Sequence, residues 1–179
     1  LGLFMGEVPE AHGGLGLSLL AIAGMSECRS YLGGLSSTVF AHQGIGTLPL
    51  INFGTQAQID RYLARCMNGD LMAAFALTEP GSGSDAAALR TKAEKTNEGW
   101  KLNGTKAFIS GGSYSDAYLT MVRTGDDGPK GISAMVIEDG ATGLSFGGLE
   151  DKMGWKAQPT AQVQFDDCVV PHENLMGEE

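Results

Sequence analysis

Apolar residues recur at two different spacings along the chain, and the change between them divides the sequence into two parts. From residue 18 to about residue 67 they follow the three-and-four spacing of amphipathic helices, with one stripe over 19–25 and another over 59–67. This pattern predicts two or three helices in the first third of the chain.

Capping residues sharpen the helix boundaries. Thr55 is placed to cap a helix over 56–67, and Ser36, Ser37 and Thr38 offer an N-cap for a run through His42. Gly54 and Gly69 stand where helices should end.

Beyond Gly69 the chain consists of short alternating runs bounded by Gly, Asn and Asp, which predict β-strands. Three segments have turn chemistry, since Asn, Asp and Gly tolerate positive φ: 97–99, 103–104 and 126–128. The predicted strands cover 72–77, 91–95, 100–103, 105–110, 117–123, 131–138, 144–146 and 160–166.

An α+β fold follows, in which a helical segment precedes an antiparallel β-barrel or sandwich. We expect residues 1–70 to be part of an N-terminal helical domain and 71–170 to form a middle β domain. Residues 171–179 should leave the sheet toward a further domain, because Pro171 keeps Val170 extended.

Composition narrows the functional classes. The net charge of −9 and the lack of clustered Lys and Arg argue against a nucleic-acid or anionic-membrane partner. The sequence contains no run of about 18 apolar residues, so no membrane span is predicted. The cysteines Cys28, Cys66 and Cys168 lack metal-ligand spacing, so free thiols in a reducing compartment are expected and no metal site is predicted.

The segment 78–85, reading TEPGSGSD, is the strongest candidate for a ligand site. Small residues and hydroxyls after a strand allow backbone N–H groups, Thr78 and Ser84 to approach a planar or phosphorylated ligand. A Gly/Ser-rich surface loop is the alternative interpretation. The segment is no nucleotide-triphosphate loop, since it lacks the required Lys, and no G-x-S-x-G element supports a hydrolase.

Four motifs, in order along the chain, resemble those of the acyl-CoA dehydrogenase family. The most specific is A-L-T-E-P-x-x-G-S-D-x-x-A over 76–88. The others are VPEAHGGLG over 8–16, NGTKAFIS over 103–110, and the Val170-Pro171 exit followed by Asn174 and Gly177. Phe108 and Gln158, where many relatives carry Trp and Ser, favour the branch that acts on short, branched acyl-CoA such as isobutyryl-CoA, as in valine degradation.

The resemblance implies an FAD-dependent enzyme that removes hydrogens from the α and β carbons of an acyl thioester. Thr78 and Ser110 are expected to hydrogen-bond the polar edge of the flavin, and Ser84 to contact both the flavin pyrophosphate and the substrate. Phe108 packs on the ring or, alternatively, serves as a core aromatic, and Ser110 is alternatively a strand-end hydroxyl. The cofactor-binding residues implied are Phe75, Leu77, Thr78, Gly83, Ser84, Phe108, Ile109 and Ser110.

No residue of this chain is expected to be catalytic, because the family takes its glutamate base from a C-terminal helical domain that should lie beyond residue 179. Glu79 and Asp85 are expected to shape the turn. The implied partners are acyl-CoA, electron-transferring flavoprotein and three further copies in a homotetramer, in the bacterial cytoplasm or the mitochondrial matrix. Alternatives on the same fold are an acyl-CoA or nitroalkane oxidase and a catalytically silent assembly subunit.

Overall fold

The computed structural model describes residues 2–177 and confirms the α+β fold, with a helical segment followed by a curled sheet. Its α-helices are α1 (Leu19–Ser30), α2 (Gly33–Val39), α3 (Leu48–Phe53) and α4 (Gln56–Asn68). A π-helical segment, Phe40–Thr47, joins α2 to α3 without a break. Within residues 2–177, three continuous helical stretches of more than one turn therefore precede the sheet, which agrees with the two or three helices predicted.

Helix α4 begins and ends as its sequence predicts. The Thr55 hydroxyl accepts a hydrogen bond from the Gln58 backbone N–H at 3.2 Å, and the Gln58 side chain accepts one from the Thr55 N–H at 3.0 Å. This reciprocal capping box satisfies two N–H groups that the helix leaves unpaired. Gly69 closes the helix in the left-handed conformation.

The predicted N-cap at residues 36–38 is wrong, because helix α2 already begins at Gly33. The Thr38 hydroxyl lies inside the helix and donates back to the Gly34 carbonyl at 2.9 Å. The apolar stripe of α1 forms a helix as expected, yet Leu19 and Leu20 are more than four-fifths exposed. The spacing of the apolar residues thus predicted the helix correctly, but it did not predict that these two leucines are exposed.

Within residues 2–177 the strands are β1 (Ala73–Ala76), β2 (Lys92–Lys95), β3 (Trp100–Ser110), β4 (Ala117–Arg123), β5 (Ile132–Glu138), β6 (Leu144–Phe146) and β7 (Thr160–Val170). These seven strands form one sheet in the order β1-β4-β2-β3-β7-β6, with β5 paired to β4. Most pairings are antiparallel, as predicted, but β1 runs parallel to β4, and β2 meets β4 in parallel at Lys92 and Arg123. The sheet is therefore mixed.

The predicted turn at Asn103-Gly104 is wrong, since β3 continues through it as one long strand. The pairing of β3 with β7 shifts by one residue between Leu102 and Gly104, which marks a bulge. Gly104 has φ +151°, and a Cβ there would lie 2.5 Å from the Thr91 hydroxyl oxygen. The glycine thus permits a close strand approach, whereas the 97–99 segment does form the β2–β3 turn, closed by Thr96 and Gly99.

His42 joins the helices to the sheet. Its Nδ1 accepts a hydrogen bond from the Ala73 N–H at 2.9 Å, so its Nε2 donates to the Cys66 carbonyl, also at 2.9 Å. Burial lowers the pKa of His42, which agrees with this neutral arrangement. His42 is therefore a satisfied core group that holds α4 and β1 together.

Some further properties bear on function. None of the helices within residues 2–177 is long and apolar enough to cross a bilayer. In the same residues, no group of three or more His, Cys, Asp or Glu side chains could hold a metal ion. Cys28, Cys66 and Cys168 are free thiols. The expected exit at 171–179 begins with a short 3₁₀ turn, His172–Asn174, and its last two residues lie outside the described part.

Candidate functional site

The loop after β1 is attached to the middle of β3. The Thr78 carbonyl accepts a hydrogen bond from the Ala107 N–H at 2.7 Å, which places Thr78 beside the backbone of Phe108. Residues 79–82 then form a tight turn, in which Glu79 and Ser82 exchange two backbone hydrogen bonds. The loop is therefore anchored to the strand it crosses, while Gly81, Gly83 and Ser84 lie on the surface.

A buried ion pair fixes this loop. Lys106 Nζ lies 2.8 Å from Glu79 Oε1 and donates a second hydrogen bond to the Leu77 carbonyl at 3.1 Å. The Glu79 carboxylate also accepts the N–H groups of Arg90 at 2.7 Å and Thr91 at 2.8 Å. The expectation that Glu79 shapes the turn agrees with these contacts.

The same contacts set the protonation of the pair. Burial raises the pKa of Glu79, but the hydrogen bonds from Lys106 and the two backbone N–H groups outweigh it and hold the pKa below the usual 4.5. Burial lowers the pKa of Lys106, and Glu79 opposes that shift. Glu79 is thus an ionised structural carboxylate, poorly suited to accept a proton from a substrate.

Phe108 lies in an unusual backbone conformation. Its φ is +58°, at a second register shift of β3 between Lys106 and Ile109, and its side chain is 67% exposed. The interpretation as a core aromatic is therefore wrong. A bulky residue at positive φ is strained, and such strain collects at ligand sites, where bulges redirect side chains.

Ser110 ends β3 two residues later and opens onto a cleft of about 420 Å³ between the sheet and the helices. The widened turns of the π-helical segment contribute Phe40, Ala41 and Ile45 to its wall. Trp155, at φ +53°, contributes from the opposite loop, where the absence of a side chain at Gly33 leaves room for its ring. This cleft could hold a small, partly apolar ligand next to the Ser110 hydroxyl.

The other predicted site residues occupy different surroundings. Gly83 and Ser84 are exposed at the tip of the loop, and a Cβ at Gly83 would meet nothing within 4 Å. Phe75 lines a separate, mostly apolar groove of about 760 Å³ between β1, β4, β5 and α3. Ile109 is buried in the sheet core, and its carbonyl accepts a hydrogen bond from the Gly112 N–H at 3.0 Å.

Three contributors to the site were missed in the sequence: Lys106, Arg29 and Trp155. A lysine that directly precedes an apolar run signals a buried partner, and Lys106 precedes Ala107, Phe108 and Ile109. Arg29 lies at the α1 end of the Ser110 cleft. Nothing local to the sequence identifies Arg29 or Trp155, because the cleft joins segments more than a hundred residues apart.

The fold is an α+β arrangement in which Ser110, at the end of β3, lines a cleft together with residues of α1, α2 and the π-helical segment. The family model for the acyl-CoA dehydrogenase N-terminal domain matches residues 1–70, and that for the middle domain matches residues 74–168. The chain belongs to the acyl-CoA dehydrogenase family.

Two relatives are named mitochondrial isobutyryl-CoA dehydrogenase. The Dictyostelium discoideum protein is 46% identical over 174 residues, which are 96% of this chain and 42% of the relative. The Bos taurus protein is 50% identical over 127 residues, 71% of this chain and 30% of the relative. The crystal structure of acyl-CoA dehydrogenase complexed with FAD from Bacillus anthracis is 38% identical with TM-score 0.90, covering 99% of this chain and 31% of that one. The chain thus spans less than half the length of these relatives.

Proposed function

We propose that this chain is the flavin-cradling part of an acyl-CoA dehydrogenase that acts on short, branched acyl thioesters such as isobutyryl-CoA. The observation that carries the proposal is the arrangement of three residues at β3. Phe108 is exposed, and the carbonyl of Thr78 is hydrogen-bonded to the neighbouring Ala107 N–H. Ser110, two residues after Phe108, lines the cleft. The two isobutyryl-CoA dehydrogenases and the FAD complex among its relatives support the same activity.

The residues present fit an FAD group. The exposed ring of Phe108, which lies at strained φ, offers an apolar surface for the flavin. The half-buried hydroxyls of Thr78 and Ser110 offer polar contacts, and the open loop tip at Gly83 offers backbone N–H groups. FAD, when bound, supplies the acceptor for the hydride that leaves the β carbon. Phe75, Leu77 and Ile109 complete the proposed set, with Ile109 contributing its backbone.

Each side chain has a proposed task. The Thr78 and Ser110 hydroxyls donate hydrogen bonds to the polar edge of the flavin and stabilise negative charge there. Gly83 and Ser84 bind the pyrophosphate through the loop tip, and Ser84 also contacts the thioester arm of the substrate. Because Glu79 is engaged with Lys106, it is not the proposed base, and we assign that role to a glutamate of the family's C-terminal domain.

Partners and compartment are part of the same proposal. Electron-transferring flavoprotein takes the electrons, and the intact protein is a homotetramer in the mitochondrial matrix or the bacterial cytoplasm. An acyl-CoA oxidase on the same fold is distinguished from this proposal by the rapid reoxidation of its flavin by oxygen.

The test uses the intact protein that contains this chain. After purification we expect bound FAD, whose visible absorbance bleaches when isobutyryl-CoA is added without oxygen and returns with electron-transferring flavoprotein. Ser110→Ala should slow the bleaching, whereas Ser145→Ala, at an exposed position of β6, should not. A protein without flavin, or flavin that no short acyl-CoA bleaches, would contradict the proposal. Fast return with oxygen alone would indicate an oxidase.

A further inference from the structure

The side chain of Arg123 holds two loops together. This residue ends β4, and its guanidinium donates to four backbone carbonyls. On the segment before β2, Nε donates to Leu89 at 3.0 Å and Nη2 to Ala87 at 2.7 Å. On the loop between β4 and β5, Nη1 donates to Asp126 at 2.5 Å and to Gly128 at 3.1 Å. A guanidinium can reach both loops because its donors lie on three separate nitrogens, whereas the donors of a lysine share one atom.

The first of these loops carries the tip of the proposed cofactor site. Residues 85–89, which Arg123 holds, directly follow the exposed Gly83 and Ser84. Within residues 2–177, neither Gly83 nor Ser84 makes a hydrogen bond of its own. The position of the tip therefore depends on the segments on either side of it. The ion pair of Glu79 fixes the segment before the tip, and Arg123 fixes the segment after it.

The second loop borders another part of the proposed site. Residues 124–125 and 130–131 line the apolar groove of about 760 Å³ to which Phe75 also contributes. The loop is closed on itself, since the N–H groups of residues 124 and 125 donate to the Gly131 carbonyl at 3.0 and 3.1 Å. Arg123 thus links a wall of the Phe75 groove to the segment that follows Ser84.

We propose that Arg123 is a positioning residue that holds the loop tip at Ser84 in the geometry that binds the flavin pyrophosphate and the thioester arm of acyl-CoA. The inference rests on the proposed function, which assigns those contacts to Gly83 and Ser84. Because the guanidinium is committed to backbone carbonyls, Arg123 acts through the two loops and does not touch the ligand.

This role affects binding more than chemistry. A tip that is already ordered does not have to be ordered when the ligand binds, so Arg123 contributes to the affinity for FAD and for acyl-CoA alike. The flavin ring is assigned to Phe108 and Ser110, at a different part of the site. The rate of flavin reduction at saturating substrate should therefore not depend on Arg123.

The test compares the intact protein that contains this chain with its Arg123→Met variant. Fluorescence titration of the FAD-free proteins gives the dissociation constant of FAD. Rapid-mixing measurements of flavin bleaching with increasing isobutyryl-CoA separate the substrate concentration for half-saturation from the limiting rate. We expect Arg123→Met to raise the FAD constant and the half-saturation concentration about tenfold each, and to leave the limiting rate within about twofold.

Two further variants separate the arginine fork from its charge and from general effects. Arg123→Lys keeps the charge and most of the aliphatic stem, but it presents its donors from one atom and should recover only part of both affinities. If Arg123→Met does not fold, Arg123→Lys decides alone, since parent-like constants overturn the inference and raised constants support it. Arg65→Met, which removes an exposed arginine of α4, is the matched control and should change nothing.

Hydrogen exchange of the FAD-free proteins gives a second result that does not depend on the flavin. In Arg123→Met the amides of residues 83–91 and 124–131 should exchange about tenfold faster, while β3 and β7 stay as protected as in the parent. Faster exchange throughout the protein, with FAD and substrate affinities unchanged, would make Arg123 a purely structural residue and overturn the inference.

The remaining outcomes separate this inference from the proposed function. Full recovery of both affinities by Arg123→Lys overturns the inference, because charge and not the fork is then what matters. If isobutyryl-CoA bleaches the flavin of the parent and Arg123→Met leaves both affinities unchanged, the proposed function stands and the inference falls. If isobutyryl-CoA bleaches no flavin, yet Arg123→Met weakens FAD binding and loosens the two loops, the inference stands for the cofactor and the proposed activity falls.

Discussion

The ammonium of Lys106 and the carboxylate of Glu79, 27 residues apart, meet at 2.8 Å with almost no exposure to solvent. Their contact holds the site loop against β3, so the position of Thr78 and Ser84 depends on a pair that has no predicted contact with the flavin. Removing one member of a buried pair leaves the other charge uncompensated, which is far more costly than losing an exposed pair.

Lys106→Met should therefore lower the free energy of unfolding by about 3 to 5 kcal/mol, measured by urea denaturation. The matched control is Lys92→Met, which removes the partner of Glu94 in a pair whose side chains are 63% and 52% exposed. That loss should stay below about 1 kcal/mol. Equal losses in the two variants would show that the buried pair does not fix the loop.

The lowered pKa of Glu79 predicts a pH dependence of stability. Because the folded state binds this proton less readily than the unfolded chain, the contribution is present above the ordinary pKa of 4.5 and is lost as the pH falls through the lowered value. The free energy of unfolding of the native protein should drop below about pH 4.5. Glu79→Gln should be less stable at neutral pH and show a shallower drop. Parallel curves for the two proteins would contradict the assignment.

Signals carried by neighbouring residues made much of the fold predictable. The Thr55 capping box and the Asn97-Glu98-Gly99 turn act within a few residues, and both were identified correctly. Asn103-Gly104 was misread because a turn and a bulge use the same residue types. Whether these residues form a turn or a bulge depends on the close approach of Gly104 to Thr91, which directly precedes β2.

The parallel pairing of β1 with β4 and the geometry of the site lie beyond such local signals. Phe108 is exposed because the register of β3 against β7 shifts beside it, a property of two strands far apart in the sequence. Motif resemblance named Phe108 and Ser110, but it did not show that Trp155 and Arg29 share the Ser110 cleft. Those relationships arise only when the helices dock on the sheet.

Gly104 offers a test of the close approach between β3 and the segment before β2. Gly104→Ala should lower the free energy of unfolding by about 1 to 3 kcal/mol or more, since the new Cβ would lie 2.5 Å from the Thr91 hydroxyl oxygen and 2.7 Å from its Cα. Gly81→Ala, where a Cβ would meet nothing within 4 Å, should change it by less than about 0.5 kcal/mol. Denaturant titrations of both variants check this, and a tolerated Gly104→Ala would contradict the contact.

The backbone strain at Phe108 allows an experiment to distinguish a flavin-binding role of this residue from a structural role. Phe108→Gly removes the penalty of positive φ, so the FAD-free protein should be as stable as the parent or more stable by about 1 kcal/mol. If the ring packs on the flavin, the same variant should bind FAD about tenfold more weakly, measured by fluorescence titration of the FAD-free protein. Tyr31→Ala, which truncates an aromatic side chain 89% exposed on the helical side, should change neither quantity. Lower stability with unchanged FAD affinity would instead make Phe108 a structural residue.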